Sequence, residues 1–238
     1  MGKLKVISSN SSGNSYILQC GEESLILELG IPLKEITKTL SYNLSHINAC
    51  IVTHIHADHA KYIPQAQSYG LPVYSCQEVA DKYKNVTVLH LGEKVRIGGF
   101  AVQPIDVPHS CECYAYLIEH KEIGRLLFCT DCTLFKYKIR DLNHILIESN
   151  YSEEYLIDNM CEDVDIVSHF ENHMELEDTI RAIKNNFSAN LQNICLLHLS
   201  NTNSEPIYFK RRVQEEIGLN CIYIAEKGLE IELNNSEF

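Results

Sequence analysis

The sequence has no run of 18 or more apolar residues, so no membrane-spanning helix is expected. The opening Met1-Gly2-Lys3-Leu4-Lys5-Val6-Ile7 turns polar at Ser8, before the apolar core of an export signal could form. A cytoplasmic location is therefore expected. No Pro/Gly/Ser-rich linker, low-complexity tract or solenoid repeat interrupts the 238 residues, which are read as one domain, 1–238. Positive charge is scarce as well: 20 Lys and Arg against 32 Asp and Glu leave a net −12. That balance argues against a general polyanion binder, which shows a basic surface. Bound divalent cations would offset part of it at one point, so nucleic acid stays open as a partner.

Cysteine, by contrast, is plentiful at ten residues. In a long chain without an export signal this predicts free thiols rather than a disulfide framework. Cys50, Cys195 and Cys221 fall in apolar strand-like runs, where a reduced cysteine acts as a small hydrophobe. Cys111-x-Cys113 and Cys129-x-x-Cys132 hold open a structural zinc site of four thiolates.

Short β-rich runs dominate the first half: 4–7, 16–20, 24–29, 48–53, 73–75 and 86–89. Leu33, Ile36 and Leu40 recur at helical spacing, and Pro64 suits the first turn of a helix ending near Gly70. The second half repeats the style, with strands at 100–107, 114–119, 125–130 and 144–148. Leu176, Ile180, Ile183 and Phe187 then mark one helix face before a strand at 194–199. Strands first and helix afterwards, twice, predicts an α/β fold of four layers, two sheets face to face with helices outside.

One stretch, Thr53-His54-Ile55-His56-Ala57-Asp58-His59-Ala60, does not fit a plain strand end. Four metal-binding side chains fall within six positions, directly after the apolar run 49–52. In an extended segment residues i and i+2 share a side, so His54 and His56 can address one point. Asp58 and His59 are adjacent, so a bend would direct them to a second point nearby. Imidazole with carboxylate suits Zn²⁺, Mn²⁺ or Fe²⁺ rather than Ca²⁺ or Mg²⁺. Three later residues sit at similar places: His109 and Asp131 each follow a strand, and His198 interrupts the apolar run 195–199. Each alone reads as a hydrogen-bonded core or loop residue; beside the cluster they become candidate ligands. The four-thiolate site is the rival to this set.

H-x-H-x-D-H followed by a single His, a single Asp and a late His resembles the metallo-β-lactamase superfamily over almost the whole chain. The resemblance implies the αββα sandwich, two mixed sheets flanked by helices, and two divalent metal ions. By it, His54, His56 and His109 would hold one metal, Asp58, His59 and His198 the other, and Asp131 would bridge them. Three further stretches resemble the YycJ/WalJ-like branch, which is nuclease-like and related to tRNase Z. The first is the loop 8–15, whose Ser11, Ser12 and Asn14 would face a substrate anion; a flexible polar turn is the plain alternative. The second is Asn172-His173-Met174-Glu175, where His173 rather than His169 would protonate the leaving oxygen. It departs from the branch pattern, with Asn172 for Gly and Glu175 for a hydroxyl residue. The third is Glu148-Ser149-Asn150, which would orient groups near Asp131. Glu28 stands where the superfamily usually has Asp supporting the histidine loop, so its contact is open.

The resemblance implies a dinuclear metal-dependent hydrolase, a phosphodiesterase or nuclease-like enzyme using a metal-bridging hydroxide, with Asp58 orienting the nucleophile. Nucleic acid ends or another phosphodiester would be the substrate, and Lys210, Arg211 and Arg212 could touch phosphates or simply form a solvated helix face. The enzyme alternative is hydrolysis of a small thioester, lactone or cyclic nucleotide, which the acidic composition suits. A metal-stabilised regulatory protein without turnover would carry a damaged ligand set, and here all seven positions are filled.

Overall fold

A computed structural model describes residues 1–158 and 172–235. Within them, the first sheet is built from β1 (Gly2–Ser8), β2 (Ser15–Cys20), β3 (Glu23–Leu27), β4 (Ile47–Ile51), β5 (Val73–Ser75) and β6 (Val86–Val88). The second holds β7 (Val95–Ile97), β8 (Phe100–Asp106), β9 (Tyr114–His120), β10 (Gly124–Cys129), β11 (His144–Glu148), β12 (Asn193–Leu197) and β13 (Ile222–Ile224). A last strand, β14 (Glu230–Leu233), returns to pair with β1, so each sheet has seven strands.

The two sheets share one plan. Each runs antiparallel through three pairings and then parallel through three, β14 to β6 in the first and β7 to β13 in the second. Parallel strands need crossovers, and loops at the carboxyl ends of such strands are where ligands bind in α/β folds. Here those ends carry His54, His56, Asp58, His59, Asp131 and His198, and His109 follows the antiparallel β8.

Period-two alternation sorts the second sheet between two cores. Tyr116, Ile118, Leu126, Phe128, Leu146, Cys195 and Leu197 join the buried residues of the first sheet in one cluster. Tyr16 and Phe128 meet edge-on across the layers at 5.5 Å. Truncating Phe128 to Ala would cost about 3–5 kcal/mol as lost burial plus cavity. The opposite-facing Leu117, Leu127, Ile145, Ile147 and Leu196 form a second cluster with Leu176, Ile180, Ile183, Phe209 and Val213.

The helices of the first half are α1 (Leu33–Thr39), α2 (Ala57–Ala60), α3 (Ile63–Ser68) and α4 (Gln77–Lys82). Leu33, Ile36, Ala60, Ile63, Ala66 and Val79 bury their side chains against the first sheet. After α5 (Glu153–Asp158), α6 (Leu176–Asn185) and α7 (Pro206–Ile217) cover the outer face of the second sheet. Two mixed sheets between helix layers are the αββα sandwich expected. No helix among the described residues is long and apolar enough to cross a membrane.

Three details differ from the sequence-based expectation. Phe187 is not on the buried helix face; it lies beyond α6 and is 52% exposed. Asn186 ends the helix by binding the neighbouring segment, its Nδ2 donating to Tyr137 O (2.9 Å) and its Oδ1 accepting from Ile139 N–H (2.6 Å). Asp58 and His59 stand on the one-turn helix α2 rather than on a bare turn. Of the three cysteines expected in strand interiors, Cys50 and Cys195 are buried, whereas Cys221 is exposed. All nine described cysteines are free. His169, the weaker candidate acid, lies outside the described residues.

Candidate metal centre

Chain geometry turns the donors towards one place. β4 ends at Ile51, and two residues later the segment reaches Thr53 and the fully buried His54, whose Nδ1 is 2.9 Å from Thr53 Oγ1. His56 is the cap of α2, and its extended backbone reverses the chain into that helix. The α2 turn is locked from below. Asn14 N–H donates to Asp58 O (2.7 Å) and Gly30 N–H to Asn14 O (3.0 Å), and a Cβ at Gly30 would fall 1.6 Å from Asp58 O. Only glycine lets the chain beyond β3 pass so close to the helix. On the second sheet Asp131 and His198 leave their strands with φ of 46° and 52°, a left-handed turn costly for residues with a Cβ.

The ring nitrogens then fall into two groups. His54 Nε2 and His109 Nε2 lie 3.0 and 3.1 Å from His56 Nδ1. A second group joins Asp58, His59, Asp131 and His198: His59 Nε2 is 3.2 Å from both Asp58 Oδ2 and Asp131 Oδ1, and His198 Nε2 is 3.4 Å from Asp58 Oδ2. Asp131 faces both, with Oδ1 towards His59 and His198 and Oδ2 3.9 Å from His54 Nε2. All seven ligand candidates read from the sequence are therefore brought together.

Each ligand imidazole has one nitrogen facing an oxygen, and its other nitrogen converges inward. His109 Nδ1 donates to Asn172 O (3.0 Å), which leaves its Nε2 lone pair free. His59 Nδ1 faces Glu28 Oε2 (3.5 Å), His198 Nδ1 faces Glu148 Oε1 (3.3 Å), and His56 Nε2 faces Ser110 Oγ (3.5 Å). Oxygen-oriented histidines with converging lone pairs are what a transition-metal ion requires. Charge makes the same demand. Burial opposes ionisation of Asp131, yet His198 and His59 hold its carboxyl well below the usual range. Burial opposes protonation of His198 too, but Asp131, Asp58 and Glu148 push it up to about 10. In the first group, burial and the neighbouring His59 keep His54 neutral, well below its ordinary value. The carboxylates call for positive charge at the second group, and the neutral imidazoles suit a cation at the first. The donor set fits divalent metal ions.

Two buried carboxylates support the histidines. Both oxygens of Glu28 accept from Thr53 N–H at 3.3 Å, so the longer side chain does reach the histidine segment. Glu148 does more: Oε2 accepts from Cys132 N–H (2.8 Å) and Met174 N–H (3.2 Å), while Oε1 sits 2.6 Å from His173 Nδ1. Burial alone would lower His173, but Glu148 outweighs it and holds the imidazole above its ordinary value. The His173 ring stacks on His198 with centroids 5.2 Å apart, at the edge of the second group. Glu148 also falls in a metal-type set with Asp131, His173 and His198, but its four contacts mark it as a support rather than a ligand.

The loop 8–15 divides. Asn14 is buried, and its Nδ2 donates to Asp58 Oδ2 (3.3 Å) and lies 3.0 Å from His59 Nε2, so it braces ligands. Ser11 and Ser12 are exposed. Ser9 was not foreseen: its Oγ accepts from His198 N–H (2.9 Å) and meets Tyr16 OH (2.7 Å). Its serine-rich surroundings offered no signal to single it out. The four-thiolate alternative does not assemble, because no metal-type set among the described residues unites the four cysteines. Cys113, Cys129 and Cys132 sink into the apolar cluster behind Asp131. Arg212 of the basic triplet is held by Glu177 (2.6 Å) and Glu216 (3.3 Å), and Arg211 lies 3.8 Å from Glu215, so these arginines are engaged on the helix face.

The layers and the two donor groups define an αββα protein built around a metal centre. A model of the beta-lactamase superfamily domain matches residues 32–187, and the chain belongs to that superfamily. It is 24% identical over 168 residues to the exodeoxyribonuclease YycJ of Bacillus anthracis, covering 63% of this chain and 64% of that protein. It is 23% identical over 173 residues to the exodeoxyribonuclease WalJ of Streptococcus pneumoniae serotype 2, covering 65% and 64%. The chain thus spans just under two thirds of the length of these relatives. Among solved structures, the metallo-beta-lactamase fold protein YhfI from Bacillus subtilis superposes with a TM-score of 0.76 at 20% identity, covering 98% of this chain and 100% of that one.

Proposed function

We propose that the chain, as one domain over 1–238, is a dinuclear metal-dependent hydrolase of phosphodiesters, nuclease-like and acting on nucleic-acid ends in the cytoplasm. The observation that carries this reading is Asp131, one carboxylate turned to two donor groups at once. His54, His56 and His109 would hold one ion, Asp58, His59 and His198 the other, and Asp131 both. Zn²⁺, Mn²⁺ and Fe²⁺ suit this nitrogen and oxygen set. Such ions, when bound, supply an activated water and polarise a phosphoryl oxygen. The names of YycJ and WalJ support nucleic acid as the substrate class.

The protein's own groups do the rest. Asp58 is the least buried of the second group, so its carboxylate is placed to orient the attacking water. His173 sits beside the cluster with a carboxylate on its far nitrogen, the arrangement of a proton donor to a leaving alkoxide. Ser11 and Ser12 would meet the substrate from the exposed loop, and Asn14 holds that loop to Asp58.

The test is hydrolysis of bis(p-nitrophenyl) phosphate and of DNA ends by metal-depleted and reconstituted protein, with His173→Ala beside the wild type. Turnover should require metal. The variant should lose roughly 10²–10⁴-fold on DNA but far less on the aryl ester, whose leaving group needs little protonation. Bound metal without turnover on either diester would move the reading to thioesters and lactones.

A further inference from the structure

We propose that Cys111 is a further protein ligand to the metal ion addressed by His54, His56 and His109, adding a sulfur to their three nitrogens and the shared Asp131 oxygen. The inference rests on the dinuclear reading of the metal centre. Sγ of Cys111 belongs to one set with a donor atom from each of those histidines, all within 4.8 Å of one another. Cys113, two residues on, turns the opposite way, its thiol pointing to Asp131 O (3.6 Å) within the apolar cluster. Of the four cysteines near the centre, only Cys111 joins a metal-type set among the described residues.

The loop that carries the sulfur is held against the cluster. His109 Nε2 and Ser110 Oγ meet the two nitrogens of His56, so the two side chains just ahead of Cys111 bracket that imidazole. Zinc with ordinary Zn–N and Zn–S bonds places neighbouring donor atoms roughly 3–3.6 Å apart. The histidine nitrogens stand at 3.0 and 3.1 Å around His56, and the sulfur lies within 4.8 Å of the donor nitrogens, so a small shift of the 107–113 connection would bring it to bonding distance. On ligation the thiol proton passes to solvent.

A sulfur donor would change two properties of the site. A thiolate favours zinc over manganese, which prefers oxygen donors. The added sulfur would also strengthen the hold of this position on its metal, while the second group keeps its exposed edge at Asp58.

The test reads the coordination rather than turnover. Zinc-loaded wild type should show a sulfur scatterer at about 2.3 Å in X-ray absorption, and the cobalt-substituted protein a thiolate charge-transfer band. Cys111→Ser should lose both signals and weaken zinc retention against a chelator by roughly tenfold or more while leaving manganese unchanged. Cys113→Ser should keep both signals. A shell of nitrogen and oxygen alone, with equal zinc retention in wild type and Cys111→Ser, overturns the proposal and leaves the dinuclear reading standing. A wild-type protein that binds no metal ends both.

Discussion

The first sheet delivers four donors from a single bend, 54–59, while the second delivers one donor from each of three loops, at His109, Asp131 and His198. The supports differ in the same way. Glu28 holds one segment, reaching Thr53 and His59, which lie six residues apart on the same bend. Glu148 ties together Cys132, His173, Met174 and His198, four residues from three stretches of chain. One side is a local motif braced by backbone, and the other is a tertiary assembly braced by a carboxylate. The difference locates fragility: damage to the first side should stay local, and damage to the second should spread.

The largest effect should come from Asp131, the residue that belongs to both groups. Asp131→Ala should reduce binding of both metals, measured by elemental analysis, and cut activity by roughly 10³-fold, the equivalent of about 4 kcal/mol. His56→Ala should remove only one metal; equal loss from both variants would break the distinction between a shared and a private ligand.

A smaller effect sharpens the comparison of supports. Glu148→Gln keeps the shape but removes the charge facing two histidines, and should cost roughly 10–100-fold in activity along with weaker binding at the second group. Glu28→Gln should weaken metal binding there as well but leave the difference between DNA and aryl ester untouched, because it does not reach His173. If both variants behave alike, the two carboxylates are equivalent and the asymmetry is only apparent.

The smallest effect lies at the other end of β11. His144 is buried, with Asn193 Nδ2 3.1 Å from its Nδ1, and burial drives its pKa from 6.5 down to about 4. The unfolded chain binds that proton between these values and the folded one does not, so this stabilisation is present at neutral pH and lost as pH falls. From about pH 7 to about pH 5 it should amount to about 2 kcal/mol. The fall in unfolding free energy between those pH values, read from urea melts, should be smaller in His144→Gln than in wild type by that amount.

The contrast between the sheets also explains what the sequence made legible. The bend at 54–59 could be read directly, because four donors in six positions have no bland explanation. The three single donors became candidates only beside it, since one imidazole after one strand is ordinary, and the resemblance then assigned their partners. Cys111 and Cys113 show the limit. Spacing of two residues could not tell that a loop turns one sulfur to the histidines and buries the other. β14 joins the first sheet from the far end of the sequence, a pairing that no local pattern shows. Phe187 matched the helical period by accident, because Asn186 had already ended the helix.

Gly30 carries a consequence for heredity rather than chemistry. Any replacement puts a carbon into the space that the Asp58 carbonyl oxygen fills, and no side chain can rotate away from its own Cβ. Ser11 and Ser12 face solvent and carry no such constraint. Among descendants of this sequence, position 30 should stay a single letter, whereas the serines are free to change with whatever substrate the lineage comes to use.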